Sequence, residues 1–516
     1  MGLVNEKMVL SYYIEEMDKD KIQFLVGRDE YKKKIKAEIL ALKDADNMNA
    51  KIQVAKKLWK LLFNAAMGYI DPDKRGYDNL FNYFDRYVNF EELIFASDSF
   101  YRDHTLHCLW VYFLGEYILR HEEFNMLTKD MYGQLKTPIQ FFESIRKLNR
   151  DGIFGDILAT IDKFYESLKY KDSVRCIASI THDLGYPLKK INKINKCIKE
   201  ILPEFSINNY DEFNFNYSEI QQGFIKEFID FMNYNFNINF MIDDSNNKKL
   251  EEILKKTFNV NQDNSNSLEI TLNEEASLLT NEEVKMIKAA AKFEVNLDKD
   301  VSMYLRYYND FEQYQHGIMS AFLLMKVISA FKGVTFAFHG RQNINIGNID
   351  LVDIITKQEI LQAVSNHTSD GYQISKITDV SAYLILIDEI EEFSRISRAN
   401  QNRQYVDEFC STDISMKNNY LMIDFIFDNK ELPNLDPERA FKDKCNKFLS
   451  LIDIRNYDEK LKFRIRFIGK IPTDNNTYAI EIGRKYAKIT VNDIEKNIPE
   501  YLKSNQVYTR EEYEMM

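Results

Sequence analysis

A chain of 516 residues is too long for one ordinary hydrophobic core, which predicts a large domain carrying insertions plus at least one smaller appended domain. With 45% apolar residues, 13% aromatics and only 17 Gly and 8 Pro, the composition excludes a disordered or fibrous chain and suits a helix-rich one packed on Phe and Tyr. A formal net charge of −12 argues against a long nucleic acid as partner, because that needs a basic footprint, but it leaves small anions open, since the local field decides there.

Residues 1–100 show helical periodicity with charged faces, as from Lys51 to Ala66, and run into Tyr83, Phe84 and Tyr87; they predict an N-terminal helical region. Residues 101–120 contain RDHTLHCLWVYFLGEYILR, apolar almost all round, which marks a helix buried inside a domain. A second buried helix is predicted over about 172–183, stopping at Gly185-Tyr186-Pro187. Between about 200 and 310 the chain turns Asn- and Asp-rich, as in NYNFNINFMIDDSNNKK, with amphipathic pieces between, and is taken as a helical insertion. Buried-helix character returns over 311–331, 357–367 and 378–398, so that 101–410 is assigned to one helical domain. From 411 to 516 the pattern changes: LKFRIRFI and TYAIEIG alternate with period two, predicting a small C-terminal α/β domain with a strand near Tyr420–Phe427 and a helix from Pro437 to Ile454. The fold class expected is therefore mainly α.

Five cysteines without CxxC pairing read as free thiols in a reducing compartment. With no signal-peptide pattern, and with the apolar stretches at 106–119 and 318–331 broken by Glu116 and Lys326, a cytoplasmic protein without a membrane segment is expected.

Only seven histidines occur, and five of them sit in or at the ends of buried-looking helices. In THDLGYP, His182 and Asp183 adjoin at a buried helix end, where an ionised carboxylate is costly unless a cation or a hydrogen-bond network compensates. Imidazole nitrogen and carboxylate oxygen both suit Fe, Mn or Zn. Two adjacent ligands are too few, and His107, His316, His367 and Asp388 each lie in apolar helical sequence where a polar group needs a reason. A lone histidine of this kind is usually a satisfied core residue; six such groups on buried helices argue for a metal centre.

The order His, His-Asp, His, His, Asp resembles the HD superfamily of metal-dependent phosphohydrolases in its two-metal version. HCLWVYFLG at 107–115 is similar to the family's first motif, His182-Asp183 to the doublet that names it, Gln315-His316-Gly317 and Ser365-Asn366-His367 to its additional histidine motifs, and AYLILIDEIEEFSR at 382–395 to its closing motif. The resemblance covers roughly 101–400 and implies an HD-type helical bundle. It implies that His107, His182, Asp183 and Asp388 ligate one metal, and that Asp183 bridges to a second completed by His316 and His367. The ions would be two divalent transition metals, from Mn, Fe, Co or Ni, with Mg or Zn compatible; they would activate water against a phosphate ester or anhydride.

Asp183 is thus a catalytic as well as a ligating residue, and His104, one turn before His107, is a candidate phosphate ligand or general acid, with a packing histidine bonded to Asp103 or solvent as the alternative. Arg102 and Arg395 are candidates for binding phosphate oxygens. Lys462, Arg464 and Arg466 form a basic stripe that reads first as an ordinary solvated strand face, and His121 and His339 are assigned nothing. The function implied is hydrolysis of a nucleotide, foremost a (deoxy)nucleoside triphosphate. A cyclic mono- or dinucleotide phosphodiesterase and a nucleotide-binding regulatory module without turnover are the alternatives. The P-loop pattern is absent. A homo-oligomer and a regulatory nucleotide or protein partner are left open, and at the level of fold analogy such proteins resemble bacterial nucleotide-depleting or signalling proteins, including those of antiviral defence.

Overall fold

The structure is a computed structural model. It describes residues 4–72, 77–95, 100–124, 152, 169–207, 211, 219–242, 248–262, 268–273, 278–328, 331, 351–369, 371–375, 377, 379–393, 395–397, 407–408, 410–428, 436–457 and 462–503. The fold is mainly helical with a small C-terminal strand-and-helix unit, as expected.

Four helices open the chain: α1 (Glu6–Asp18), α2 (Asp29–Asp44), α3 (Met48–Ile70) and α4 (Asp78–Phe95). Asn5 and Asn47 begin α1 and α3 by accepting from Met8 N and Ala50 N, the usual side-chain remedy for unpaired N–H groups at a helix start. The next helices are α5 (His104–Arg120), α6 (Lys171–Thr181) and α7 (Tyr186–Ile201). Every residue of α5 except Arg120 is buried, in keeping with its apolar sequence. Helix α6 ends before Gly185 as anticipated, but Gly185 is the N-cap of α7 and Pro187 lies in that helix's first turn, where its missing N–H costs no hydrogen bond.

The segment at 200–310 holds α8 (Glu219–Met232), α9 (Lys248–Thr257) and α10 (Asn281–Ala290), but it is not purely helical. Strand β2 (Tyr234–Ile242) pairs antiparallel with β5 (Ala291–Lys299), and β3 (Phe258–Gln262) with β4 (Leu268–Leu272). The cause is legible afterwards: Tyr234, Phe236, Ile238 and Phe240 alternate with Asn235, Asn237 and Asn239, a period-two pattern that the asparagine content disguises.

The core resumes with α11 (Val301–Glu312), α12 (His316–Val327), α13 (Leu351–Asn366) and α14 (Val380–Ile390). Two boundaries differ from expectation. The run 311–331 is broken because Tyr314 adopts a left-handed φ of 51°. The helix expected to reach 398 stops at Ile390, where Glu391 turns extended, and Arg395 falls instead on a short strand. That strand, β6 (Arg395–Ser397), pairs antiparallel with β1 (Phe100–Arg102) and with β7 (Asp407–Glu408).

Helix α6 sits at the middle, packed against α3, α5, α13 and α14, while α12 lies against α13 and α7. Trp59 of α3 donates its indole N–H to the Ile180 carbonyl, and Tyr83 of α4 its hydroxyl to the Leu184 carbonyl, so the N-terminal helices grip the backbone on both sides of His182-Asp183.

The C-terminal unit is a six-stranded sheet in the order β13-β12-β11-β10-β9-β8. Its strands are β8 (Ser411–Lys417), β9 (Tyr420–Phe427), β10 (Lys462–Gly469), β11 (Thr477–Gly483), β12 (Tyr486–Val491) and β13 (Ile494–Lys496). All pairs are antiparallel except β9 with β10, which are joined through helix α15 (Pro437–Leu451), as parallel neighbours require a crossover. Phe463, Ile465 and Phe467 of β10 are buried, as their alternation requires. A last short helix, α16 (Ile498–Leu502), follows. Among the described residues no helix is long and apolar enough to cross a membrane.

Candidate metal centre

Five helical elements bring the six expected ligands to one point. His107 lies in the second turn of α5, whose start is fixed by Asp103 accepting from Leu106 N at 2.9 Å. His182 and Asp183 occupy the turn after α6, His316 opens α12, His367 follows the last residue of α13, and Asp388 lies in the last turn of α14. Close approach is made possible by two glycines. A Cβ on Gly185 would collide with the His316 carbonyl and with Met319, and one on Gly317 would stand 2.7 Å from the Val364 carbonyl and 2.8 Å from His367 Nδ1. Ser320 ties the turn to α12: its hydroxyl donates to the His182 carbonyl at 2.6 Å and accepts from Gly185 N at 2.7 Å.

The ligand atoms fall into two sets. Those of His107, His182 and Asp388 lie within 4.8 Å of one another, and so do those of Asp183, His316 and His367. Asp183 faces both. Its Oδ1 is 3.2 Å from His316 Nε2 and 3.4 Å from His367 Nε2, while its Oδ2 is 3.3 Å from His182 Nε2 and 3.8 Å from His107 Nε2. Asp388 Oδ1 approaches His107 Nε2 at 2.8 Å and His182 Nε2 at 4.0 Å.

The hydrogen-bond partners settle which ring nitrogens face inward. A backbone carbonyl only accepts, so His182 and His367, bonded at 2.6 Å to the carbonyls of Ser179 and Val364, carry protons on Nδ1. His107 Nδ1 likewise meets the Glu391 carboxylate at 2.5 Å. The three Nε2 lone pairs then converge on carboxylate oxygens and, for His107 and His182, on each other at 3.4 Å. Buried lone pairs facing one another are repulsive, and either imidazole protonation or a cation relieves them; a cation relieves all of them at once. Without one, protons must serve. Burial opposes a charge on His182, yet the Asp183 carboxylate beside it holds this imidazole well above its usual range. Asp183 is driven up by burial, but His182 and its hydrogen bonds to His316 and His367 keep it well below the carboxylate range. Burial pushes His316 down to about 4, and its Nδ1 is buried without a hydrogen-bond partner among the described residues. The donor set and its outer partners, one per histidine for three of the four, are those of a site that can bind metal.

Glu391, fully buried, is the clearest residue that sequence reasoning missed. Nothing local marks it as more than one of several acids after Asp388. Because such outer partners fix the ring and raise its basicity, Glu391→Gln is expected to weaken metal affinity about 10- to 100-fold, as read by chelator competition; wild-type affinity would remove Glu391 from the centre.

His104 is buried beside the centre but outside both sets, its ring 6.4 Å from that of His107. Its Nδ1 is paired with Glu91 Oε2 at 2.7 Å, and Asp103 caps α5. The Tyr186 ring lies against that of His104, tilted by 36°, at 3.8 Å and meets His316 edge-on at 5.5 Å. Glu91, 13 residues upstream, had no visible signal. Arg102 and Arg395 prove to be directly opposite one another in the β1–β6 ladder, at the chain entry to α5. Cys108 Sγ lies 3.8 Å from His182 Nδ1, and burial pushes its thiol up to about 11, so it stays protonated. His121 packs against Tyr12 and Tyr117, away from the centre, and His339 lies outside the described residues.

Two members of the basic stripe of β10 meet acids within its own sheet, Arg466 at Asp424 and Arg464 at 3.4 Å from Glu481, while Lys462 lies over the Tyr420 ring. This is the ordinary strand face. No protein-family model, curated protein or solved structure matches the chain.

Proposed function

We propose that the protein is a metal-dependent phosphohydrolase acting on a nucleotide, foremost a (deoxy)nucleoside triphosphate, in the manner that its resemblance to the HD superfamily implies. The observation that supports this best is the division of Asp183, with Oδ1 turned to His316 and His367 and Oδ2 to His182 and His107. A carboxylate shared in this way suits two divalent transition metals, Mn, Fe, Co or Ni, with Mg or Zn also compatible. Such ions supply Lewis acidity and make water ionise near neutral pH. His107, His182 and Asp388 would hold one and His316 and His367 the other.

The chain's own groups do the remaining work. His104, oriented by Glu91, is assigned the proton for the leaving oxygen. Arg102 and Arg395, neighbours in one ladder, are assigned the phosphoryl oxygens, for which guanidinium geometry is suited. Tyr186 touches the rings of both His104 and His316. The buried thiols Cys108, Cys176 and Cys445 suit a cytoplasmic setting.

Elemental analysis of the purified chain is expected to find about two transition-metal ions per molecule, because six N/O ligands exceed what one mononuclear site with open positions needs. The metal-loaded protein is then offered dNTPs, NTPs and cyclic mono- and dinucleotides, with products separated by chromatography. Triphosphate hydrolysis is the expected result. Turnover of cyclic substrates alone would make it a phosphodiesterase, and a chain that gains no activity with any of these metals would be a nucleotide-binding module at most.

A further inference from the structure

We infer that the C-terminal α/β unit is a positioning element of the metal centre and that Lys444 of α15 is the residue through which it acts. The inference rests on the metal-binding reading above. Asp388, Glu389, Glu391 and Glu392 crowd four carboxylates into five positions at the C-terminus of α14, the helix end where the macrodipole already disfavours negative charge. Asp388 is a candidate ligand, and Glu391 holds His107. The charge of the other two is met from another part of the chain. Lys444 Nζ stands 3.5 Å from Glu389 Oε2 and 3.1 Å from Glu392 Oε1, with its side chain only 11% exposed and that of Glu392 5%. Lys447 reaches Glu389 at 3.5 Å from a half-exposed position.

Two further contacts join the same unit to ligand-bearing segments. Beyond His367, Ile374 donates its N–H to the Leu451 carbonyl at 2.8 Å and accepts from Asp453 N at 3.0 Å. Beyond α5, Glu123 accepts from Met416 N at 3.3 Å. The unit thus grips the chain downstream of His107, of His367 and of Asp388. Of these three grips, the one made by α15 supplies charge to the turn that carries Asp388 and Glu391, and Lys444 is the more buried of its two lysines and meets both Glu389 and Glu392. Without the ammonium, repulsion among the carboxylates would displace Glu392 and, through the shared turn, Asp388 and Glu391.

Co(II) titration of the metal-stripped full chain, with a competing chelator and the visible absorption spectrum, tests this. Lys444→Met is expected to weaken Co(II) binding about tenfold, the lower end for groups that orient ligands, and to alter the spectrum. Lys444→Arg should restore both, and Lys447→Met should change neither. Wild-type affinity and spectrum in Lys444→Met would overturn the inference. If that variant does not fold, Lys444→Gln removes the same charge while leaving a polar group beside Glu392, and unaltered Co(II) binding there is equally fatal. A wild-type chain that binds no Co(II) overturns the metal-binding reading and this inference together, whereas wild-type binding with unaltered variants overturns this inference alone.

Discussion

Replacement of Asp183 by Ala should abolish metal binding and turnover together, with turnover falling at least about a thousandfold, since loss of a mere orienting partner already costs up to about a hundredfold. The reason lies in its contacts. Its two oxygens stand within 3.8 Å of the Nε2 atoms of all four histidines, so removing it deprives both sets of their common anion. Asp183→Asn keeps the volume but replaces one acceptor oxygen by an NH2 donor, and should lose most of the metal as well. Both variants are to be compared with wild type by elemental analysis and by turnover, with circular dichroism to show that the helices persist. A folded Asp183→Ala protein holding a full metal complement would mean that the centre is not organised around this carboxylate.

The second large effect is expected at His104. If it gives a proton to the leaving oxygen, His104→Ala lowers turnover roughly a hundredfold or more, the usual scale for a positioned acid, while both metals stay bound. The rate–pH profile should lose one limb. Glu91→Gln should act in the same direction more weakly, because it leaves the ring but loosens its orientation at the 2.7 Å contact. A packing role predicts something different: destabilisation by about 1–3 kcal/mol with nearly unchanged turnover per folded molecule. Melting temperature and activity measured on one sample separate the two, and a destabilised but fully active His104→Ala protein takes His104 out of the chemistry.

What could be read along the chain was whatever is local. Apolar stretches with a histidine or an acid inside them marked α5, α6, α12, α13 and α14, because a costly buried polar group stands out against its own neighbours. The six residues that the structure gathers, His107, His182, Asp183, His316, His367 and Asp388, therefore stood out along the chain. Alternation likewise announced β10 and β11, and the helix between β9 and β10 began at Pro437 as anticipated. The strands of the insertion carried the same alternation, but Asn at every second place of β2 reads as loop until β5 is seen opposite it. Asymmetry between the visible and the hidden runs through the centre itself. His107 was legible from its helix, whereas Glu391, its partner across 284 positions, was one acid among four. The same holds for Glu91 beside His104 and for Lys444 beside Glu392, each an ordinary charged residue on a helix. Periodicity states which face of an element is buried, since burial depends on the residue's own chemistry. Which groups then meet depends on how α5, α14 and α15 pack, and that is set by the whole core, so only the tertiary structure could decide that Glu391 meets His107 and that a lysine of the C-terminal unit meets Glu392.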